Sequence, residues 1–507
     1  MSVTDPNAMP EQMVPPAVAV AQRHPRGLAT LFFTEMWERF SYYGMRALLV
    51  LFMVDNIRGG MGMDVKTAAA IYGLYTAAVY LMALPGGWFA DRLVGGQRAV
   101  WYGGIVIALG HFTLALPWPQ TFYLGLIFVV IGSGTLKPNM SGLVGELYPE
   151  GGTRRDAGFT IFYMGVNLGA AIGPLACGWL AEKKGWHWGF GAAGIGMVLG
   201  LIQFRLFRHR LGNAGTRRGN DAPLHITERA LLFCGIPAVV LVLVLGLMGW
   251  VHLNPIALAH WMAYVILAIA VVFFVVAFLF CGLNAVEKKR VAMILVLFLI
   301  SALFWAGFEQ AGSSFNLFAE NYTRRSLAWL HDGVSINWFQ TWLDSLKNEA
   351  PAEWFQMFGP VFIIAFAPFF AWFWVWLARR NLDPSIPVKF ALGLLFLAAG
   401  FGVMIGAAFI VVAGHKASAN WLILTYLLHT FGELCLSPVG LSTVTKLAPQ
   451  KLAGQMMGIW FLATSLGNLL AGLLAGMFHP ESIQQWPTFY IRMVILSTVV
   501  GILLILL

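Results

Sequence analysis

Apolar residues dominate this chain in long runs, each closed by a short stretch of charge, glycine or proline. A helix of about twenty apolar residues crosses the hydrocarbon of a bilayer. Such runs fall near 27–54, 67–90, 97–116, 120–146, 156–181, 188–207, 229–251, 258–282, 291–320, 353–378, 387–412, 419–445, 453–477 and 487–507. The pattern predicts an all-α membrane protein with fourteen transmembrane helices. Residues 1–26 are polar and proline-containing with no apolar core, so they read as a cytosolic tail and not as a cleaved signal.

Basic residues set the orientation. With the N-terminus inside, the inner loops hold Arg92, Arg98, Arg154, Arg155, Arg205, Arg208, Arg210, Arg217, Arg218, Lys288, Lys289, Arg290, Arg379, Arg380, Lys389, Lys446 and Lys451. The outer loops hold fewer, and that bias places both termini in the cytosol. An internal repeat is also visible. Leu136-Lys137-Pro138 matches Leu436-Ser437-Pro438, Pro149 and Pro449 follow at the same separation, and Ala157-Gly158 and Ala453-Gly454 each open the next run. Two six-helix halves related by duplication account for this. The predicted division is an N-terminal bundle at 27–210, a cytosolic linker at 211–228, an inserted lipid-facing hairpin at 229–284 and a C-terminal bundle at 285–507. The outer loop at 321–352 places Trp338, Phe339, Trp342 and Leu346 at helical intervals, which suits an interfacial helix or a packed loop.

Composition agrees. The chain is 59% hydrophobic and 11% charged, against about 25% charged in soluble domains. The net charge of +9 lies in short loops, where topology explains it better than nucleic acid does. Cys177, Cys234, Cys281 and Cys435 are scattered through apolar runs, so no disulfide framework or metal site is implied.

The informative residues are charges inside the spans. Span one carries Glu35, Glu38, Arg39, Tyr42, Tyr43 and Arg46, within an arc of roughly 140° on a helix. Each mid-bilayer charge costs at least about 2.5 kcal/mol, so that face must meet a polar cavity or partner charges. Span four adds Lys137, the seventh span of the twelve-helix core adds Trp305, Glu309 and Gln310, and the tenth adds Glu433 and Ser437 with His429 one turn earlier. Tyr163 and Asn167 share a face of span five, and Trp305 and Trp460 suit either pocket walls or plain packing. Arg39, Arg46 and Lys137 therefore stand on the first half, and Glu309 and Glu433 on the second. A short peptide, with a carboxylate at one end and an amine at the other, would pair with both. Glu35, Glu38, Glu309 and Glu433 are the carboxylates whose affinity for a proton would follow their partners.

Glu35-x-x-Glu38-Arg39-Phe40-x-Tyr42-Tyr43-Gly44 and Phe162-Tyr163-x-x-x-Asn167-x-Gly169 resemble the two signatures of the proton-dependent oligopeptide transporter family, within the major facilitator superfamily. The Asp91-Arg92 loop is similar to the wider superfamily's motif. The resemblance implies a major facilitator fold, two six-helix bundles plus the hairpin, importing di- and tripeptides with protons by alternating access. It implies a cell-membrane monomer among lipids, with no enzyme activity and no cofactor beyond the coupling proton. It assigns the peptide carboxylate to Arg39 and Lys137 and the amine to Glu433. Tyr42, Tyr75, Tyr163, Asn167, Ser437 and Trp460 would line the pocket. Arg46 and Glu309 would form the outer gate and take part in proton coupling, and Glu35 and Glu38 would couple protonation to carboxylate binding. One departure stands out: where family members commonly carry Asn before Pro in span eight, this chain has Gly359-Pro360. One polar contact to the peptide is thus absent or supplied elsewhere. The rival substrate is another small anion, nitrate or an organic acid. A redox membrane protein finds no support in paired histidines, cysteine clusters or nucleotide-binding glycine loops.

Overall fold

A computed structural model describes residues 23–150, 152–216, 241–242, 244–246, 248–250, 253–327, 340, 344, 346, 349–477 and 480–506. Six helices make the first half: α1 (Arg26–Val54), α2 (Val65–Phe89), α3 (Gly96–Leu114), α4 (Pro119–Glu146), α5 (Gly152–Lys184) and α6 (Trp186–Phe207). Then follow α7 (Pro255–Phe280), α8 (Ala285–Phe308), α9 (Ser314–Tyr322), α10 (Phe358–Arg379), α11 (Ile386–Val412), α12 (Ala419–Leu447), α13 (Ala453–Ala475) and α14 (Trp486–Leu506). Among the described residues, helix covers thirteen of the predicted runs, twelve with one main helix each and the ninth with two. The run at 229–251 lies largely outside the described residues, as do residues 1–22 and Trp338, Phe339 and Trp342, while Leu346 is buried.

Local chemistry sets the helix starts. Asp64 accepts from the Thr67 N–H at 2.9 Å at the head of α2. Asn284 and Glu287 form a reciprocal capping box at the head of α8. The ninth run differs from its prediction. It is not one helix: α8 ends at Phe308, a 3₁₀ turn runs through Glu309–Gly312, and α9 starts anew at Ser314. Non-helical backbone at membrane depth is tolerated where protein buries it, and Glu309 and Gln310 are buried here.

Glycine controls the packing of α1 on α5. Gly165, Gly169 and Gly173 recur every fourth residue and face the backbone of α1. A Cβ at Gly169 would lie 2.1 Å from the Met36 carbonyl oxygen, and one at Gly173 2.4 Å from that of Phe40. Small residues at this spacing let helices approach to backbone contact. On the other side of α1, Phe40 and Trp37 fill the surfaces of Gly196 and Gly200 on α6. The apolar face of α1 is thereby clamped, and its ionisable face turns toward the centre of the molecule.

In the second half, α11 packs on α12 and α14, and α8 on α13. The halves meet where α2 crosses α13 and where α5 meets α10 and the 3₁₀ turn Ala352–Met357. A short parallel pairing of Thr323–Arg324 with Ala417–Ser418 ties two loops of the second half. Helix α7 packs on both α2 and α13 through Ala259, Ala263, Ile266, Ala270, Phe274 and Ala277, and exposes Trp261, Val265, Val272 and Leu279 on its other face. The linker predicted at 211–228 begins docked: the Gln97 side chain donates to the Ala214 carbonyl at 2.6 Å, and the Gly215 N–H donates to Glu146 at 2.9 Å.

Replacing Gly169 with Val forces α1 and α5 apart. Overpacking of this kind costs about 1–3 kcal/mol, so Gly169→Val lowers the thermal unfolding midpoint of the detergent-purified protein. Gly142→Ala, where a Cβ meets nothing within 4 Å, leaves that midpoint unchanged.

Candidate functional site

The face of α1 directed inward carries three acidic or basic groups within one helical turn. Arg39 Nε donates to Glu35 Oε1 at 2.7 Å and lies 3.3 Å from Glu38 Oε2. Both carboxylates are buried, at 1% and 0% exposure, while the Arg39 side chain keeps 14%. One guanidinium thus serves two buried carboxylates and retains an open edge. Among the described residues, nothing donates a hydrogen bond to Glu35 Oε2 or to either oxygen of Glu38.

Two turns farther along, Arg46 crosses the seam between the halves. Its guanidinium pairs with Glu309, and its Nε donates to the Tyr72 hydroxyl at 2.6 Å. The break after α8 is what brings Glu309 here, and Gly312 leaves the room: a Cβ at Gly312 would lie 1.8 Å from the Tyr72 hydroxyl oxygen. Neighbouring contacts join the same level. Asn316 Nδ2 donates to the Ala47 carbonyl at 2.7 Å, Ser465 Oγ to that of Ala77 at 2.9 Å, and Trp354 Nε1 to that of Leu175 at 3.1 Å.

Lys137 on α4 is held differently. Its Nζ sits 4.1 Å from the centroid of the Tyr42 ring and 5.1 Å from that of Tyr80, a cation–π setting in place of an ion pair. Tyr42 in turn stacks on Tyr75 at 6.3 Å. Glu35, Glu38, Arg39 and Arg46 all lie within electrostatic reach of Lys137. Opposite, Glu433 on α12 has no ion-pair partner among the described residues, and Glu309, Tyr43 and Tyr163 lie within its electrostatic reach. Tyr163 is 43% exposed, and Asn167 donates to its carbonyl at 2.9 Å.

With this geometry in view, the comparisons with known proteins are decisive. The POT family profile matches residues 97–489. The chain belongs to the POT family. It is 42% identical over 497 residues to the peptide transporter YePEPT of Yersinia enterocolitica subsp. palearctica serotype O:3, covering 96% of this chain and 94% of that one. It is 34% identical over 494 residues to a di-/tripeptide transporter of Lactococcus lactis subsp. cremoris, covering 95% and 94%. Among solved structures, a peptide transporter POT in complex with sulfate superposes with a TM-score of 0.84 at 39% identity, covering 95% of this chain and 94% of that one. A POT family transporter in complex with 5-aminolevulinic acid gives 0.83 at 33%, covering 95% and 96%. The protein is therefore a multi-pass membrane transporter with the fold of the POT structures.

Within this POT chain, Lys137 has Glu35, Glu38, Arg39 and Arg46 within electrostatic reach and the Tyr42 ring beside it, Tyr75 stacks on Tyr42, Glu309 pairs with Arg46, and Glu433 lies within electrostatic reach of Glu309 and Tyr163, with Asn167 one turn beyond Tyr163 on α5. Other expected residues take quieter positions. Trp460 is buried between Phe390 and Gly440, and Trp305 packs on Gly467, its indole N–H without a partner among the described residues. Ser437 is half-buried. His429 lies among Phe308, Phe315 and Phe401 against Gly400, a packing role. Sequence reasoning overlooked Tyr72 and Tyr80. Their signal was present: Tyr72, Tyr75 and Tyr80 lie on one arc of an otherwise alanine-rich span.

A second polar network lies at the C-terminal end of α1. Arg58 pairs with Glu182 at 2.5 Å and Glu320 at 3.4 Å, and Glu320 pairs with Arg325 at 3.0 Å. Asp55, just past the end of α1, is partly desolvated, which pushes its pKa up. The indole N–H of Trp186 (2.8 Å) and the N–H groups of Ile57 and Arg58 outweigh this and hold the carboxyl below the usual carboxylate range.

Gly312→Ala drives its methyl group into the Tyr72 hydroxyl and breaks the Arg46–Tyr72–Glu309 cluster. Removing one partner of such a buried pair costs about 3–5 kcal/mol, so a marked drop in unfolding midpoint follows. The double variant with Tyr72→Phe recovers part of the drop. For Asp55 the folded pKa is depressed, so its stabilisation is present above the unfolded carboxylate pKa and lost as pH falls through the folded one. The gap in unfolding midpoint between the unmodified protein and Asp55→Asn therefore narrows on acidification from pH 7.

Proposed function

We propose that this chain is a proton-coupled symporter that imports di- and tripeptides across the cell membrane, both termini cytosolic, by alternate exposure of the site between its halves. The observation that carries the reading is the state of two charges. Arg46 and Glu309 are engaged with each other, and Arg39 with Glu35 and Glu38. Lys137 on one half and Glu433 on the other hold no ion-pair partner among the described residues. A zwitterion bridging the seam supplies an anion to Lys137 and the open edge of Arg39, and a cation to Glu433. The relatives named as peptide and di-/tripeptide transporters fit such a substrate. So does 5-aminolevulinic acid, an amine and a carboxylate on one small molecule. The aromatic surfaces of Tyr42, Tyr75, Tyr163, Trp305 and Trp460, with Asn167 and Ser437, would serve the substrate between its charged ends.

Glu35 and Glu38 supply the coupling. A carboxylate group arriving at Arg39 and Lys137 competes with theirs for the same cations. A proton on one of the donor-less oxygens of Glu35 or Glu38 satisfies that buried atom and releases Arg39 to the substrate. Protonation of Glu309 would likewise release Arg46 and unlock the outer seam. No cofactor is needed beyond the proton, and one chain contains the whole site. A purely anionic substrate such as nitrate leaves Glu433 unanswered and repelled.

In proteoliposomes with the outside acidic, the protein accumulates alanyl-alanine, and Lys137→Ala and Glu433→Ala each abolish that accumulation. Unchanged gradient-driven uptake in both variants would sink the reading, as would competition by nitrate but not by dipeptides. Glu309→Gln loses gradient-driven uptake by about tenfold or more while retaining exchange of labelled for unlabelled peptide, which needs no net proton movement.

A further inference from the structure

Gly359 differs from the other glycines buried at helix contacts. A Cβ at Gly432 would lie 2.7 Å from a carbonyl oxygen, and one at Gly400 2.3 Å from the His429 ring. At Gly359, in the first turn of α10, the nearest atom to a Cβ is the Thr430 hydroxyl oxygen at 4.0 Å, with nothing else inside that distance. Gly359 is nevertheless buried. Space has been left there, and no neighbouring side chain fills it.

The side chain that faces that space is polar: Thr430 is 1% exposed, and its hydroxyl has no hydrogen-bond partner among the described residues. Gln356 stands three residues before Gly359, a spacing that puts the two on one face of the turn, and its buried Nε2 likewise has no partner among the described residues. A buried polar group without a partner is destabilising, and two of them at neighbouring positions point to a ligand that completes them. Thr430 also precedes Glu433 by three residues on α12, so the two side chains are neighbours on one helix face. The gap therefore lies beside the helix face that carries Glu433.

We infer that this niche is a substrate subsite, resting on the peptide reading above: it receives a hydrogen-bonding group on the first side chain of the peptide, beside the ammonium held by Glu433. The Gln356 amide N–H donates, and the Thr430 hydroxyl donates or accepts. The matching group carries an acceptor oxygen on a short arm, as in a side-chain amide or hydroxyl. Glycine at 359 is then a selectivity determinant, because any side chain there would occupy the subsite.

The test compares proteoliposome uptake of asparaginyl-alanine and alanyl-alanine. The unmodified protein favours the former. Gly359→Asn fills the niche with its own amide, and Thr430→Val removes the hydroxyl at nearly constant volume. Each lowers the ratio of the two uptakes by about three- to tenfold, the range of one net hydrogen bond. Thr430→Ser, which keeps the hydroxyl, preserves the ratio and separates lost chemistry from lost packing. A ratio unchanged in both Gly359→Asn and Thr430→Val overturns the subsite. So does an unmodified protein that accumulates alanyl-alanine without favouring the polar first residue, an outcome that leaves peptide transport standing. Failure to accumulate any dipeptide removes both readings.

Discussion

The buried pair between Arg46 and Glu309 is the constraint on which the rest of this molecule depends. A charge held at membrane depth is stable only while a partner or water attends it. Each of these groups belongs to a different half, so the seam is closed by satisfying both at once. The supporting features follow from that need. The chain breaks after α8 to present Glu309, Gly312 yields space, and Tyr72 completes the guanidinium from the first half. Backbone contacts from Asn316 and Ser465 add directional bonds that hold only in this register.

Charge accounting at the centre then becomes simple. With Arg46 and Glu309 engaged, the first half keeps Arg39 and Lys137 against Glu35 and Glu38, a formal balance. The second half keeps Glu433. The first half thus presents a formally neutral cluster, and Glu433 on the second half has no ion-pair partner among the described residues. A neutral cluster is cheaper to bury than a cationic wall, and it yields a cation only when one of its carboxylates is discharged.

Much of this was legible in the sequence. Spans of twenty apolar residues mark themselves, because lipid permits little else, and an ionisable residue inside one announces a partner. The sharing of a face by Glu35, Glu38, Arg39 and Arg46 follows from helical periodicity alone. Who pairs with whom does not. Arg46 meets Glu309 across 263 positions of chain, and no spacing rule reaches that far. The break after Phe308 was hidden for another reason: Glu309-Gln310-Ala311-Gly312 contains no proline, and tertiary contacts with Tyr72 decide the backbone. Tyr80 escaped notice because an aromatic in an apolar span looks like packing until a lysine is found above it. Trp460, open to either reading in the sequence, has one edge against Phe390.

Helix α7 touches α2 of one half and α13 of the other. Any rocking of the halves must therefore shear it against at least one of them. Four of the six residues on its buried face are alanine. Methyl groups raise low ridges, so sliding one helix over the next lifts no large side chain out of a hole. A helix seated this way is held to both halves by shallow contacts and by no deep interlock.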